Sequence, residues 1–141
     1  MIINNNKKIV MGVIGHDIHS VSNILMHQAL KKLDYHVLNL GVDNQPNFYK
    51  DAIIEFGADA LLLSSLNGEW KYWLPKLKKS LHFLKTKPLL YLGGNILSLN
   101  KKESDLELFK IQSYGFKRVF DRNKNFDYFF KCLKKDLNEI T

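Results

Sequence analysis

The feature that most constrains this chain is a rhythm of short apolar runs separated by longer amphipathic stretches. The runs are Ile9–Ile14, His36–Leu40, Ala60–Leu63, Leu89–Leu92 and Arg118–Phe120. Each is too short for a buried helix, and Gly, Pro or Asn stands near its ends, so each reads as a buried strand. The intervening stretches carry apolar residues at helical spacing. Ile24, Leu25, Ala29 and Leu33 mark one such face; Phe48, Ala52, Ile53 and Phe56 mark the next. Trp70, Trp73, Leu74, Leu77, Leu81 and Leu84 give the longest stripe. Leu106, Phe109 and Ile111 form a less regular one, and Phe126, Phe129, Phe130, Leu133 and Leu137 the last. Strict β–α alternation predicts a parallel sheet with helices on both faces. Right-handed crossovers then make a doubly wound, five-stranded α/β sandwich, Rossmann-like in the flavodoxin-like sense. With 141 residues and no linker, repeat or low-complexity stretch, a single domain over 1–141 is expected. A (β/α)₈ barrel, at roughly 250 residues, is excluded.

In such a sheet, ligands bind beyond the carboxyl ends of the strands. Four loops are therefore informative: Gly15–Ser22, Gly41–Pro46, Ser64–Glu69 and Gly93–Asn100. The first is not a dinucleotide fingerprint, because Gly12 and Gly15 lack the remaining glycines. A phosphate-accepting receiver is also disfavoured, since Ser64 and Ser65 stand where an acid is needed. The loop does place Asp17 two residues from His19 at the mouth of the sheet. A carboxylate beside an imidazole fixes its tautomer, orients the ring and raises its basicity as a metal ligand. Taken alone, this pair also reads as a loop histidine with a helix-capping aspartate. Ser64-Ser65-Leu66 offers hydroxyls past a buried strand, and Gly93-Gly94-Asn95 lets backbone approach a ligand closely.

Taken together these elements are more specific. Asp17-x-His19-x-x-Ser22, then 41 residues, Ser64-x-Leu66, 26 residues, and Gly93-Gly94 have the order and spacing of the cobalamin-binding signature. The chain resembles that family and, within it, the small (sigma) subunits of glutamate mutase, or methylaspartate mutase. Gly12-Val13-Ile14-Gly15, Gly68, Asn95-Ile96 and Tyr114-Gly115-Phe116-Lys117-Arg118-Val119 extend the likeness over nearly the whole length. The resemblance implies that His19 displaces the dimethylbenzimidazole base of adenosylcobalamin and becomes the lower ligand of cobalt. Asp17 would hydrogen-bond the far nitrogen of His19, with His16, Ile18 and Ser20 lining the loop beneath the corrin. Ser64 would bond the displaced base, and Ser65 and Leu66 would shape the slot for the nucleotide tail. Gly93, Gly94, Asn95 and Ile96 would let that tail run between sheet and helix. Two positions depart from the family: Ser22 replaces the glycine that ends the first motif, and Asn67 stands where an aromatic residue is frequent. An added Cβ and hydroxyl at Ser22 narrow the slot, although serine also suits a helix N-cap.

The same resemblance implies an isomerase component that presents its cofactor to a large barrel subunit. That partner would bind L-glutamate for rearrangement to threo-3-methylaspartate. This chain itself shows no substrate-binding arginine cluster, so no catalytic residue is assigned to it. A second reading is a stand-alone corrinoid carrier or sensor. A third, a nucleic-acid-binding protein, is prompted by charge and disfavoured by pattern. Residues 1–70 hold 5 basic and 7 acidic groups against 16 and 7 in residues 71–141. Lys71, Lys76, Lys78, Lys79, Lys85 and Lys87 crowd one helix. Trp70 and Trp73 lie on its apolar stripe rather than among the lysines, which favours a solvated or partner-facing surface over base stacking. His27, His36 and His82 lack acidic or histidine partners at helical or strand spacing and read as ordinary. One cysteine, Cys132, reads as a small packed side chain and permits no internal disulfide. The first eight residues lack the apolar core of a signal peptide, and no run nears the ~18 residues of a membrane span. A cytoplasmic protein is expected.

Overall fold

The computed structural model describes residues 6–122 and 126–140. Ten elements alternate without exception: β1 (Lys8–Val13), α1 (Val21–Lys32), β2 (His36–Asn39), α2 (Pro46–Phe56), β3 (Ala60–Ser65), α3 (Trp70–Leu81), β4 (Leu89–Gly94), α4 (Lys101–Ser113), β5 (Phe116–Asp121) and α5 (Phe126–Asn138). The five strands form one parallel sheet in the order β2-β1-β3-β4-β5. The order reverses between β1 and β3, which makes their carboxyl ends the switch point. The expected α/β, flavodoxin-like architecture is what the chain adopts. Part of the segment read for a signal sequence, residues 1–5, lies outside the described residues.

Because β1 and β3 are central, they are covered on both faces and are apolar on both. Their alternation divides the interior in two. Val10, Leu61, Leu63 and Leu92 face α2, α3 and α4, meeting Tyr49, Ile53, Trp70, Leu74, Leu77 and Ile111. Ile9, Met11, Leu62 and Tyr91 face α1 and α5, meeting Leu30, Phe129, Leu133 and Leu137. Local signals set the helix ends. Pro46 opens α2 and Gly57, in the left-handed region (φ 70°), closes it. Asn100 caps α4 by accepting from the Glu103 N–H.

Four helical faces differ from expectation. In α1 the residues turned to the sheet are Asn23 and Leu30, while Ile24, Leu25 and Leu33 of the expected face are exposed. Asn23 is held there by the Asn39 amide at 2.7 Å, a polar contact that apolar periodicity does not register. In α4 only Ile111 is buried; Leu106 and Phe109 face outward. Phe48 of α2 and Phe126 of α5 are likewise exposed, at the first turns of their helices. The long stripe of α3 is buried from Trp70 to Leu81, and Trp70 donates its indole N–H to the Ile96 carbonyl at 3.1 Å. Among the described residues no helix is long and apolar enough to cross a membrane.

Candidate functional site

The loop after β1 is built around one buried carboxylate. Asp17 is 1% exposed, and its two oxygens accept four hydrogen bonds. Oδ1 takes the His19 backbone N–H at 3.0 Å and the His19 ring Nδ1–H at 2.6 Å. Oδ2 takes the backbone N–H groups of Leu66 at 2.7 Å and Asn67 at 3.1 Å, across the switch point. Burial pushes the Asp17 carboxyl up; the N–H groups of His19 and Leu66, with the His19 imidazole, outweigh it and hold it below its ordinary range. An ionised Asp17 can only accept, which fixes the proton of His19 on Nδ1. Nε2 then carries the lone pair, on a side chain 60% exposed.

His16 takes a different direction. Its backbone N–H donates to Glu69 at 3.0 Å, its ring meets Asp43 at 3.2 Å, and it packs edge-on against Trp73. Glu69 also accepts the Trp73 indole N–H at 3.0 Å, so one carboxylate ties the loop to α3. Those two donors hold the Glu69 carboxyl below its usual value. Ile18 and Ser20 are exposed beside His19.

Next to this loop, on the α1/α5 side, lies a cavity of about 260 Å³ at the carboxyl ends of β3, β4 and β5. Ser64, Leu66, Gly93, Gly94 and Asn95 line it, as does Ser22. Ser65 and Ile96 do not. A strand turns successive side chains to opposite faces, so Ser65 points to the α3 side, fully buried, with no partner for its hydroxyl. Ile96 packs in the same α3-side core. The glycine pair divides in the same way. A Cβ on Gly94 would lie 2.4 Å from the Ser65 carbonyl at φ +119°, so only glycine fits. A Cβ on Gly93 would meet only the Phe120 carbonyl at 3.5 Å, and its absence keeps the slot open. Ser22 lies inside α1, whose N-cap residue is Ser20; the Ser20 hydroxyl makes no capping bond.

Several residues of this site escaped sequence reasoning. Asp121 ends β5 and accepts the N–H groups of Ile96 at 2.8 Å and Leu97 at 3.2 Å, fixing the turn after Gly94. Tyr91, on the cavity floor, donates its hydroxyl to Asp136 at 2.8 Å, and Arg118 clamps the same carboxylate through Nε at 2.7 Å and Nη2 at 2.9 Å. The rule that located the other loops, applied to the end of the fifth strand, would have found Asp121 and its neighbour Arg122.

Among the described residues no three His, Cys, Asp or Glu side chains gather into a set able to hold a bare ion. A single outward imidazole suits a metal that arrives with its other ligands on a macrocycle, and the adjoining slot suits an appendage of that macrocycle.

No protein-family model matches the chain. Among solved structures it is similar to a novel cobalamin-binding protein from Desulfitobacterium hafniense DCB-2, with TM-score 0.69 and 17% identity, over 91% of this chain and 58% of that one. It also overlays the RcsB response regulator of Salmonella typhimurium, with TM-score 0.60 and 14% identity, over 94% of this chain and 61% of that one. These likenesses concern the fold. Sequence relatives are more specific. The glutamate mutase sigma subunit of Clostridium cochlearium is 35% identical over 133 residues, 94% of this chain and 96% of the relative. That of Carboxydothermus hydrogenoformans is 35% identical over 132 residues, 92% of this chain and 94% of the relative. That of Fusobacterium nucleatum is 33% identical over 131 residues, 92% and 96%. Identity at this level, sustained over almost the full length of both partners, places the chain in the glutamate mutase sigma subunit family.

Proposed function

We propose that this chain is a single-domain, cobalamin-binding subunit of a glutamate mutase, working in the cytoplasm with a separate barrel subunit that binds the amino acid. The observation that carries the reading is the Asp17–His19 pair: a buried carboxylate 2.6 Å from Nδ1 of a ring that is otherwise largely exposed. His19 Nε2 is the proposed ligand of cobalt. Asp17 holds the ring in one tautomer and one orientation and raises its donor strength. Ser64 and Leu66, with the Cβ-free wall at Gly93, receive the displaced nucleotide tail. Asp121 and the Gly94 turn keep the far wall of that slot in place. Adenosylcobalamin, when bound, supplies the radical chemistry of carbon-skeleton rearrangement; the chain supplies ligation, orientation and a slot.

The test is the visible spectrum of adenosylcobalamin mixed with the protein and with His19→Ala. The wild type is expected to give a change characteristic of imidazole ligation that the variant lacks. An identical change in both would sink the ligand assignment. Ser22, on the slot wall where the family has glycine, favours a second reading as a corrinoid carrier without mutase activity. A pull-down for the barrel partner followed by a glutamate-dependent assay separates the two.

A further inference from the structure

The cavity beside His19 has two ends of different chemistry. Its buried end is apolar, formed by Met11, Leu62, Tyr91 and Phe129. Its open end is polar, and there Arg122, just past the last residue of β5, is the one cation on the lining among the described residues. The guanidinium is steadied on two sides. Nε lies 3.5 Å from Asp121, and Nη2 donates to the Leu97 carbonyl. Oδ1 of Asp121 takes the N–H groups of both Ile96 and Leu97, and Oδ2 is the oxygen that faces the guanidinium. Arginine carries five N–H donors in a rigid fork, so this arrangement fixes its orientation while leaving donors for another pair of oxygens.

A corrinoid tail has an apolar aromatic base at its tip and one permanent anion, a phosphodiester, nearer the macrocycle. Laid into this cavity with the base at the apolar end, the tail brings its phosphate to the open end. An anion at the lip of an apolar slot needs a compensating partner, and a planar guanidinium meets phosphate oxygens two at a time. We propose that Arg122 is the anchor for this phosphodiester and thereby sets how far the tail enters the slot. The inference rests on the cobalamin reading given above.

The probes are 5,6-dimethylbenzimidazole riboside and the same nucleoside bearing a 3′-phosphate, titrated calorimetrically against wild type, Arg122→Gln and Arg122→Lys. The wild type is expected to bind the phosphate form about tenfold more tightly, as one charge-assisted bidentate contact predicts. Arg122→Gln should erase that preference while leaving riboside affinity within about twofold, and Arg122→Lys should keep part of it. Retention of the full preference in Arg122→Gln overturns the proposal. So does an equal loss for both probes, which would mean that Arg122 shapes the slot through Leu97. The His19-dependent spectrum of adenosylcobalamin, recorded on the same samples, separates the two failures. If it is present while the phosphate preference ignores Arg122, only the anchor falls; if it is absent, the cobalamin reading falls with it.

Discussion

The two faces of the sheet are covered very differently. On one side α2, α3 and α4 close over Tyr49, Trp70, Trp73 and Leu74, none of them more than 8% exposed. On the other, α5 buries Phe129, Leu133 and Leu137, while α1 buries only Asn23 and Leu30 and turns Val21, Ile24 and Leu25 outward. The space α1 leaves unfilled is the cavity. The lesson is a division of labour: one face holds the fold together, and the other gives up packing for room.

That contrast can be broken first by truncation. Trp70→Ala, on the closed face, should cost about 4 kcal/mol, read as a shift in the urea midpoint. Met26→Ala, on the cavity wall, should cost about 1 kcal/mol. Equal losses would mean that the open face is as tightly packed as the closed one.

Asp17 sits where the two faces meet. Asp17→Asn replaces an oxygen acceptor by an amide that must confront a backbone N–H, and should cost about 3 kcal/mol at neutral pH. The sign with pH follows from the depressed acidity of Asp17. Its contribution is fully present above the ordinary carboxylate value near 4 and is lost as pH falls through the lower folded-state value. The gap between wild type and variant should therefore stay constant from pH 7 to about 4 and narrow below it. A gap that widens on acidification would contradict the assignment.

The glycine pair sharpens the comparison at the scale of one methyl group. Gly94→Ala, facing the closed side, should lose about 2 kcal/mol from strain and clash. Gly93→Ala, facing the cavity, should change stability by less than about 0.5 kcal/mol yet weaken adenosylcobalamin binding. The smallest effect is expected at Ser22. Ser22→Gly should cost about 0.5 kcal/mol of helix stability while tightening corrinoid binding a few-fold, measured by spectral titration.

The alternation of elements was legible because buried parallel strands must be short and apolar, and the helices between them must carry a stripe. The long stripe of α3 was legible from Trp70 to Leu81, because those residues are buried in the core; Leu84, expected to continue it, lies past the end of the helix and is half-buried. The α1 face was not legible, because a helix bordering a cavity is relieved of the rule that its apolar side points inward. Its inward anchor is an asparagine held by Asn39. The Asp17–His19 pair was legible from spacing, but the bonds from Leu66 and Asn67 to the same carboxylate join residues about fifty positions apart, and no local pattern carries that. Ser64 and Ser65 were read as one element, although adjacent strand residues face opposite sides and only Ser64 meets the cavity.

The two oxygens of Asp17 answer to different masters. One steers the imidazole, and the other is moored to the backbone that follows Ser64. Leu66, on the slot wall, and the His19 ring thus hang on opposite oxygens of a single carboxylate. The wall of the slot and the aim of the ring therefore share one support, with Asp17 as the tie rod between them.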